Sequence, residues 1–467
     1  MAVEYDLVIL GGTIEGRVAA ARAARYGARV ALIEPPGLFQ TNQQQKYLLS
    51  AIQQADENAQ CQQVNEFLGS ASSAEGTAID NSKHNKPVNW LSLIEWSAIA
   101  AETQMPELSV AVLNAQGVDV ILEMPNILVW QHKAQRLIVT SQTRQLRSRA
   151  VLAAFGRSPD TLQRLLTLSK LPKKLSIAGG NARAVQWAQG LASLGTEVVI
   201  EAKEILPAYE KEIGQLMCGY LSSLGVTVAD SAPTQTLKEK TDCTLHFNHV
   251  QPALLFPRKL MSPVDWRNSD VYPDTERPYL KVNRRLQTRW KRIFACGSIT
   301  GGPVNEAIAC YQAKIATDNA LFWPTRVTEP PIVAQSHAQF ARVGLSEEQA
   351  QQYYKKAVRV WSAGDSNSTD LSQLWPQSAY CKLVCIGPQV AGIHLFGKEA
   401  GVAIQPMTAF IDRPLQGMVD AIDSLSGSGL MRAIAAAANQ AQQSQWQPGN
   451  WKRNWAENWF NWRRSCR

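Results

Sequence analysis

Apolar positions along the chain fall into short runs separated by glycines, and two stretches share one order of elements. Residues 5–10, Tyr-Asp-Leu-Val-Ile-Leu, read as a buried strand running into Gly11-Gly12-Thr13-Ile14-Glu15-Gly16. The alanine-rich pattern that follows predicts a helix to about Tyr26, stopped by Gly27, and a second strand over 28–33 ends at Glu34. The order returns at Leu175: a strand over 175–178, the loop Gly179-Gly180-Asn181-Ala182-Arg183-Ala184, a helix to Leu194, a stop at Gly195 and a strand over 197–200 closed by Glu201. Two such units, roughly 170 residues apart, predict an internal duplication in an α/β chain.

Between the units the chain is polar, with helices expected at 43–56 and 91–104, a loop at 69–88, and strands at 109–113, 118–122, 127–130, 136–140 and 151–159. A strand over 292–298 and a helix over 305–321 follow the second unit. Beyond Pro331 the pattern turns strand-rich, at 340–344, 357–361, 380–386 and 389–396, with helices at 346–356 and 430–440. No apolar run approaches the roughly 18 residues needed to cross a bilayer. An N-terminus that carries Glu4 and Asp6 and enters a strand at once argues against a targeting peptide and predicts a cytoplasmic chain.

The repeated unit has a chemical rationale. Glycines let the backbone approach a pyrophosphate at a helix N-terminus, and an acid closing the second strand accepts ribose hydroxyls. The first unit offers Gly11, Gly12, Thr13, Gly16 and Glu34 for that role; the second offers Gly179, Asn181 and Glu201.

Together with Phe155-Gly156-Arg157, Cys296-Gly297-Ser298 and Ala341-Arg342-Val343-Gly344-Leu345, these motifs resemble, in order and spacing, the pyridine nucleotide–disulfide oxidoreductase family, which includes dihydrolipoamide dehydrogenase, glutathione reductase and mercuric reductase. The resemblance covers about residues 4–440. It implies two Rossmann-like dinucleotide-binding domains, the FAD-type over 1–160 and 270–325 and the NAD(P)-type over 161–269. It also implies an α+β dimerisation domain over 326–440 and a homodimer, leaving 441–467 as a separate helical Trp/Arg-rich tail.

The resemblance exposes departures from the family's pattern. The family's redox CxxxxC would fall within Gly37 to Lys46, which holds no cysteine and is several residues shorter. Its C-terminal His-Pro and Glu are replaced by Gly427-Ser428-Gly429-Leu430-Met431-Arg432. No residue is therefore assigned a catalytic role. Thr13 stands for a phosphate-loop glycine, and Ser298 for the aspartate that would hold the ribityl chain. Asn181 and Ala184 replace two further glycines, and Gln186 replaces a glutamate. Retained Gly11, Gly16, Glu34 and Gly156 favour FAD as the cofactor if one is held, with Gly297 and Ser298 at the positions that would also contact it; the altered second loop disfavours NAD(P)H, and Glu201 would repel a 2′-phosphate.

Eight cysteines and six histidines show no metal-ligand spacing, so no metal site is expected. Cys381 and Cys385 read as a packed thiol pair on one sheet face, Cys61 as a surface thiol, and Cys296 as a packing residue. The net charge of +8 is local. Residues 281–292 carry six bases and no acid, read as a solvated strand edge or, if they share a face with the tail, a contact for anionic lipid or an acidic partner; residues 451–467 carry five bases and one acid. In that tail Trp451, Trp455, Trp459 and Trp462 recur at helical spacing beside Arg463 and Arg464. Three readings stay open: a membrane-surface anchor, an anchor on a protein partner through 446–467, and packing on the chain's own core. No nucleic-acid module is recognisable. Two functions remain: a non-catalytic or weakly active homodimeric scaffold with an anchor, or a FAD-dependent NAD(P)H oxidoreductase passing electrons to a non-disulfide acceptor such as a quinone.

Overall fold

A computed structural model describes residues 4–53, 89–124, 127–131, 136–154, 165–229, 243–246, 280–300, 306–324, 335–336, 339–365, 379–422, 429–444, 446–447 and 451–466. Two compact units divide the chain: Met1–Lys203 with Leu221–Pro331, and Glu204–Tyr220 with Ile332–Arg467.

In the first unit, strand β1 (Tyr5–Leu10) leads through the glycine loop into α1 (Ile14–Arg25) and β2 (Val30–Ile33). The apolar run of β1 is buried on both faces, as a central parallel strand requires. Ala19, Ala20, Ala21 and Ala23 let α1 lie close to the sheet, and Gly27, at φ +75°, turns the chain out of the helix. Helix α2 (38–53) follows β2, and α3 (Trp90–Thr103) starts on an Asn89 cap whose side chain accepts from the Leu91 amide. Helix α4 (Val110–Ala115) then precedes β3 (Val118–Ile121), β4 (Ile127–Gln131), β5 (Arg136–Thr140) and β6 (Gln145–Ala153).

These strands order as β3-β2-β1-β6-β5-β4, parallel from β3 to β6 and antiparallel beyond. A second sheet is parallel and ordered β10-β7-β8-β9, from β7 (Lys174–Ala178), β8 (Glu197–Glu201), β9 (Thr227–Ala229) and β10 (Cys243–His246). The helix Ala182–Ser193 joins β7 to β8. Strand β11 (Ile293–Ala295) returns to the first sheet beside β6. The helix Glu306–Leu321 packs on α1, where Asp318 accepts from Arg22 at 2.6 and 2.9 Å and from Tyr26 at 3.0 Å.

Two sequence expectations change here. Residues 109–113 form helix rather than strand, because the Ser109 hydroxyl caps α4 by accepting from the Val112 amide at 3.3 Å. The basic run 281–292 is turn rather than strand edge, with only an isolated Gln287–Phe294 bridge; Arg284, Arg285, Arg289 and Lys291 are exposed on it.

In the second unit an antiparallel sheet, ordered β12-β13-β16-β15-β14, is built from β12 (Gln335–Ser336), β13 (Phe340–Gly344), β14 (Val358–Asp365), β15 (Ala379–Ile386) and β16 (Gln389–Phe396). Helices Ala400–Met407, Leu415–Ile422 and Gly429–Ser444 join its core; of these the sequence pattern predicts only the one at 430–440. Cys381 and Cys385 are buried in that core. Lys382 is buried among Glu210, Glu212 and Glu347 at 2.9, 2.9 and 2.7 Å. Burial pulls its ammonium down, but hydrogen bonds to these three carboxylates outweigh that and hold it charged. This network ties segment 204–220 to the antiparallel sheet. The tail forms the helix Trp451–Ser465.

Candidate functional site

The register of the first sheet explains how distant motifs meet. Leu7–Leu10 pair with Val30–Ile33 on one side and with Ala150–Ala153 on the other, so their carboxyl ends lie level. Gly11 donates to Ile33 at 2.9 Å, Ala154 to Leu10 at 2.8 Å, and Cys296 to Ala153 at 3.0 Å. The Gly11–Gly16 loop, Glu34, Ala154 and the Gly297–Ser298 turn are thereby gathered at one edge, where open α/β sheets hold their ligands. Gly156 lies outside the described residues.

The loop keeps its backbone geometry. Gly11 sits at φ +111°, and a Cβ on Gly16 would run into the Gly11 carbonyl. Gly297, at φ +76°, donates its amide to Gln312 Oε1 at 2.9 Å. Ser298 belongs to the same short turn, Gly297–Thr300.

Side chains occupy much of the space those glycines leave. Thr13 is buried and its hydroxyl donates to the Ala154 carbonyl at 2.9 Å. Glu15, 5% exposed in the first turn of α1, lies so close to Gly297 that a Cβ there would come within 2.5 Å of its Oε1. Burial pushes the Glu15 carboxyl up to about 7; its own backbone amide and Thr13 pull it down, and Glu306 adds to the upward push. Glu34 is 1% exposed and clamped by Arg17, Nε to Oε2 at 3.1 Å and the second guanidinium nitrogen to Oε1 at 2.5 Å. Arg17 also donates to the Leu108 carbonyl at 2.8 Å and lies 4.0 Å from the Phe39 ring centroid. Burial pushes the Glu34 carboxyl up against the downward pull of Arg17.

The second loop is also engaged. Asn181 caps its helix by accepting from the Ala184 amide at 3.0 Å, and Glu201 accepts from the Ser176 hydroxyl at 2.5 Å. Gly179, at φ +124°, donates to the Glu201 carbonyl at 2.9 Å.

Helix α2 spans most of the stretch 37–46 where the family's redox cysteines would fall, and it presents glutamines. Gln43 and Gln45 are buried; Gln45 Oε1 accepts from Arg183 at 2.9 Å, and Gln43 Oε1 has no hydrogen-bond partner. Gly190 admits this helix closely, since a Cβ there would come within 2.9 Å of Ile52. Four of the described thiols are poor nucleophiles. Burial drives Cys296 well above the usual thiol range, with Glu15 and Cys310 adding to it, and burial raises Cys310 to about 11 and Cys381 and Cys385 to about 12. Among the described residues no group of three or more His, Cys, Asp or Glu could hold a metal ion.

In the tail helix Trp455, Trp459, Phe460 and Trp462 are exposed, and Arg463 and Arg464 close the last turn. Trp455 and Trp459 stack at 6.0 Å, and Trp459 meets Trp462 at 5.0 Å. The Trp451 side chain lies outside the described residues. No described helix is long and apolar enough to cross a membrane.

Glu15 and Arg17 were not singled out from the sequence. The available signal was charge inside a phosphate-type loop: an acid just before Gly16 and a base just after it.

A mixed sheet and a parallel sheet with glycine loops at their strand ends, together with an antiparallel sheet, define a two-nucleotide-domain reductase scaffold. Residues 5–313 match the model of pyridine nucleotide-disulphide oxidoreductases, and 330–420 match that family's dimerisation domain. The chain belongs to the pyridine nucleotide–disulphide oxidoreductase family, a family of FAD-dependent flavoproteins. It is 27% identical over 436 residues to dihydrolipoyl dehydrogenase of Chlorobaculum tepidum, covering 86% of this chain and 89% of that one. It is 24% identical to mercuric reductase of Lysinibacillus sphaericus, covering 74% and 66% of the two chains. Among solved structures, LpdA from Mycobacterium tuberculosis superposes with a TM-score of 0.67 at 18% identity, covering 94% and 99%. The HOCl-induced flavoprotein disulfide reductase RclA from Escherichia coli gives 0.67 at 19%, covering 93% and 99%. These two show the fold alone.

Proposed function

We propose that this chain is a homodimeric disulfide-reductase scaffold that performs no disulfide chemistry and is held at an anionic membrane surface by its C-terminal helix. One observation carries the first part: the stretch 37–46, where the family's paired thiols would fall, holds no cysteine, and α2 buries Gln43 and Gln45 there instead. Dithiol exchange proceeds by thiolate attack on a disulfide sulfur, and an amide can neither attack nor leave in that way. The described buried thiols are held protonated by burial, which removes them as substitutes.

The family's dimerisation domain supports the homodimer. Exposed stacked indoles beside Lys452, Arg453, Arg463 and Arg464 support the membrane surface, since aromatic rings favour the headgroup layer and bases favour anionic lipid. The test of the chemistry is NADH and NADPH oxidation by the purified full-length chain with FAD in excess and a small linear disulfide as acceptor. We expect no rate above the protein-free mixture; sustained turnover would overturn the reading.

A further inference from the structure

We infer that the chain has replaced the nucleotide ligands of its glycine loops with its own side chains, and that Glu15 and the Arg17–Glu34 pair close the first site to FAD. A Rossmann loop takes a dinucleotide at two places: first-turn amides receive the pyrophosphate, and the acid ending the second strand receives ribose hydroxyls. At the first place stands Glu15, buried in the opening turn of α1 against Gly297. A carboxylate at a helix N-terminus supplies the negative charge that the amides and the dipole favour. An incoming pyrophosphate would meet that charge in a poorly solvated position, where repulsion is screened weakly.

At the second place Glu34 has lost its exposure, and Arg17 grips both of its oxygens. Ribose hydroxyls would have to displace a guanidinium held also by the Leu108 carbonyl and the Phe39 ring. Exchanging a charge-assisted pair for neutral hydroxyls loses hydrogen-bond strength at every oxygen. Thr13 adds bulk where the loop should be bare, and its hydroxyl is spent on Ala154.

The second loop is altered in the same sense. Asn181 takes the Ala184 amide, and Ser176 donates to the Glu201 carboxylate. In both loops a side-chain oxygen stands at the helix start and an internal donor meets the acid. The backbone turns survive because they organise the sheets: Gly11, Gly16 and Gly179 keep the bends and close approaches that join strand to helix. Residues retained from a cofactor site thus hold the fold without offering the cofactor a place.

This inference does not depend on the loss of disulfide chemistry, and its test separates the two. FAD is titrated at about pH 9, where the Glu15 carboxyl is ionised, into full-length wild type, Glu15→Gln, and the double variant Thr13→Gly with Glu15→Gly, read by flavin fluorescence, with circular dichroism reporting the fold. Wild type should show no saturable uptake up to about 100 µM, while the double variant should bind on the order of 100-fold more tightly through loss of one like charge and added room. Should the double variant fail to fold, Glu15→Gln reads the charge alone and should still bind more tightly than wild type. Stoichiometric flavin in wild type overturns the inference, as does a folded Glu15→Gln or glycine variant no tighter than wild type. Wild type that binds FAD yet reduces no disulfide overturns it while leaving the proposed function standing.

Discussion

At the residue scale the site turns on one buried acid and one buried ion pair. Glu15 titrates near 7 in the fold, against about 4.3 for a free glutamate, so the native state binds more protons across that window. Stability therefore declines as pH rises from about 4.3 through about 7, by on the order of 3 kcal/mol in total. Glu15→Gln removes this dependence. Urea unfolding at a series of pH values should show the variant gaining on wild type as pH rises, whereas parallel curves would show that Glu15 is not buried as described. For the ion pair, Arg17→Met leaves Glu34 charged and unpaired in the interior and should cost about 3–5 kcal/mol. Adding Glu34→Leu should recover much of that loss, because a packed apolar pair replaces a stranded charge. A cost below about 1 kcal/mol for Arg17→Met would place the pair at an exposed surface instead.

The glycines and acids of both loops were legible in sequence because a tight turn and a strand end dictate residue type locally. The engagement of Glu15 was not. It packs against Gly297, which lies beyond the second nucleotide-type unit in sequence and is returned to the first sheet by β11. Spacing along one segment carries no trace of such a contact.

At the scale of elements, alternating and alanine-rich patterns located most strands and helices, and the exceptions have causes. Ser-Val-Ala-Val-Leu at 109–113 has a strand's composition, yet the Ser109 cap commits it to a helix. The run 281–292 carries enough charge to stand in solvent and folds as turns, with Leu286 reaching φ +58° while its side chain stays buried. In the tail, spacing predicted the helix and left its partner open. Its exposed indole stack argues against burial in the chain's own core. Full-length protein should float with vesicles containing anionic phosphatidylserine, and deletion of 446–467 should abolish flotation while leaving the dimer intact by light scattering. Flotation that survives the deletion would remove the tail from that role, and an intact chain that stays with the soluble fraction would remove the membrane itself.

For the whole molecule, the proposed function separates architecture from chemistry. The three sheets, their strand order and the dimerisation domain follow the family, because strand pairing and core burial tolerate wide substitution. On the proposed function, redox chemistry rests on a few positions with no such tolerance; in this chain 37–46 holds no cysteine, α2 buries Gln43 and Gln45, Glu15 stands in the first glycine loop and Asn181 caps the helix after the second. That division explains why the fold was readable from dispersed patterns, while the state of the site required the side-chain contacts. The most direct measurement is the visible spectrum of the purified full-length dimer, followed by anaerobic addition of NADH. We expect no stoichiometric flavin band and no bleaching; one flavin per chain, bleached by NADH, would contradict the account and identify a working oxidoreductase.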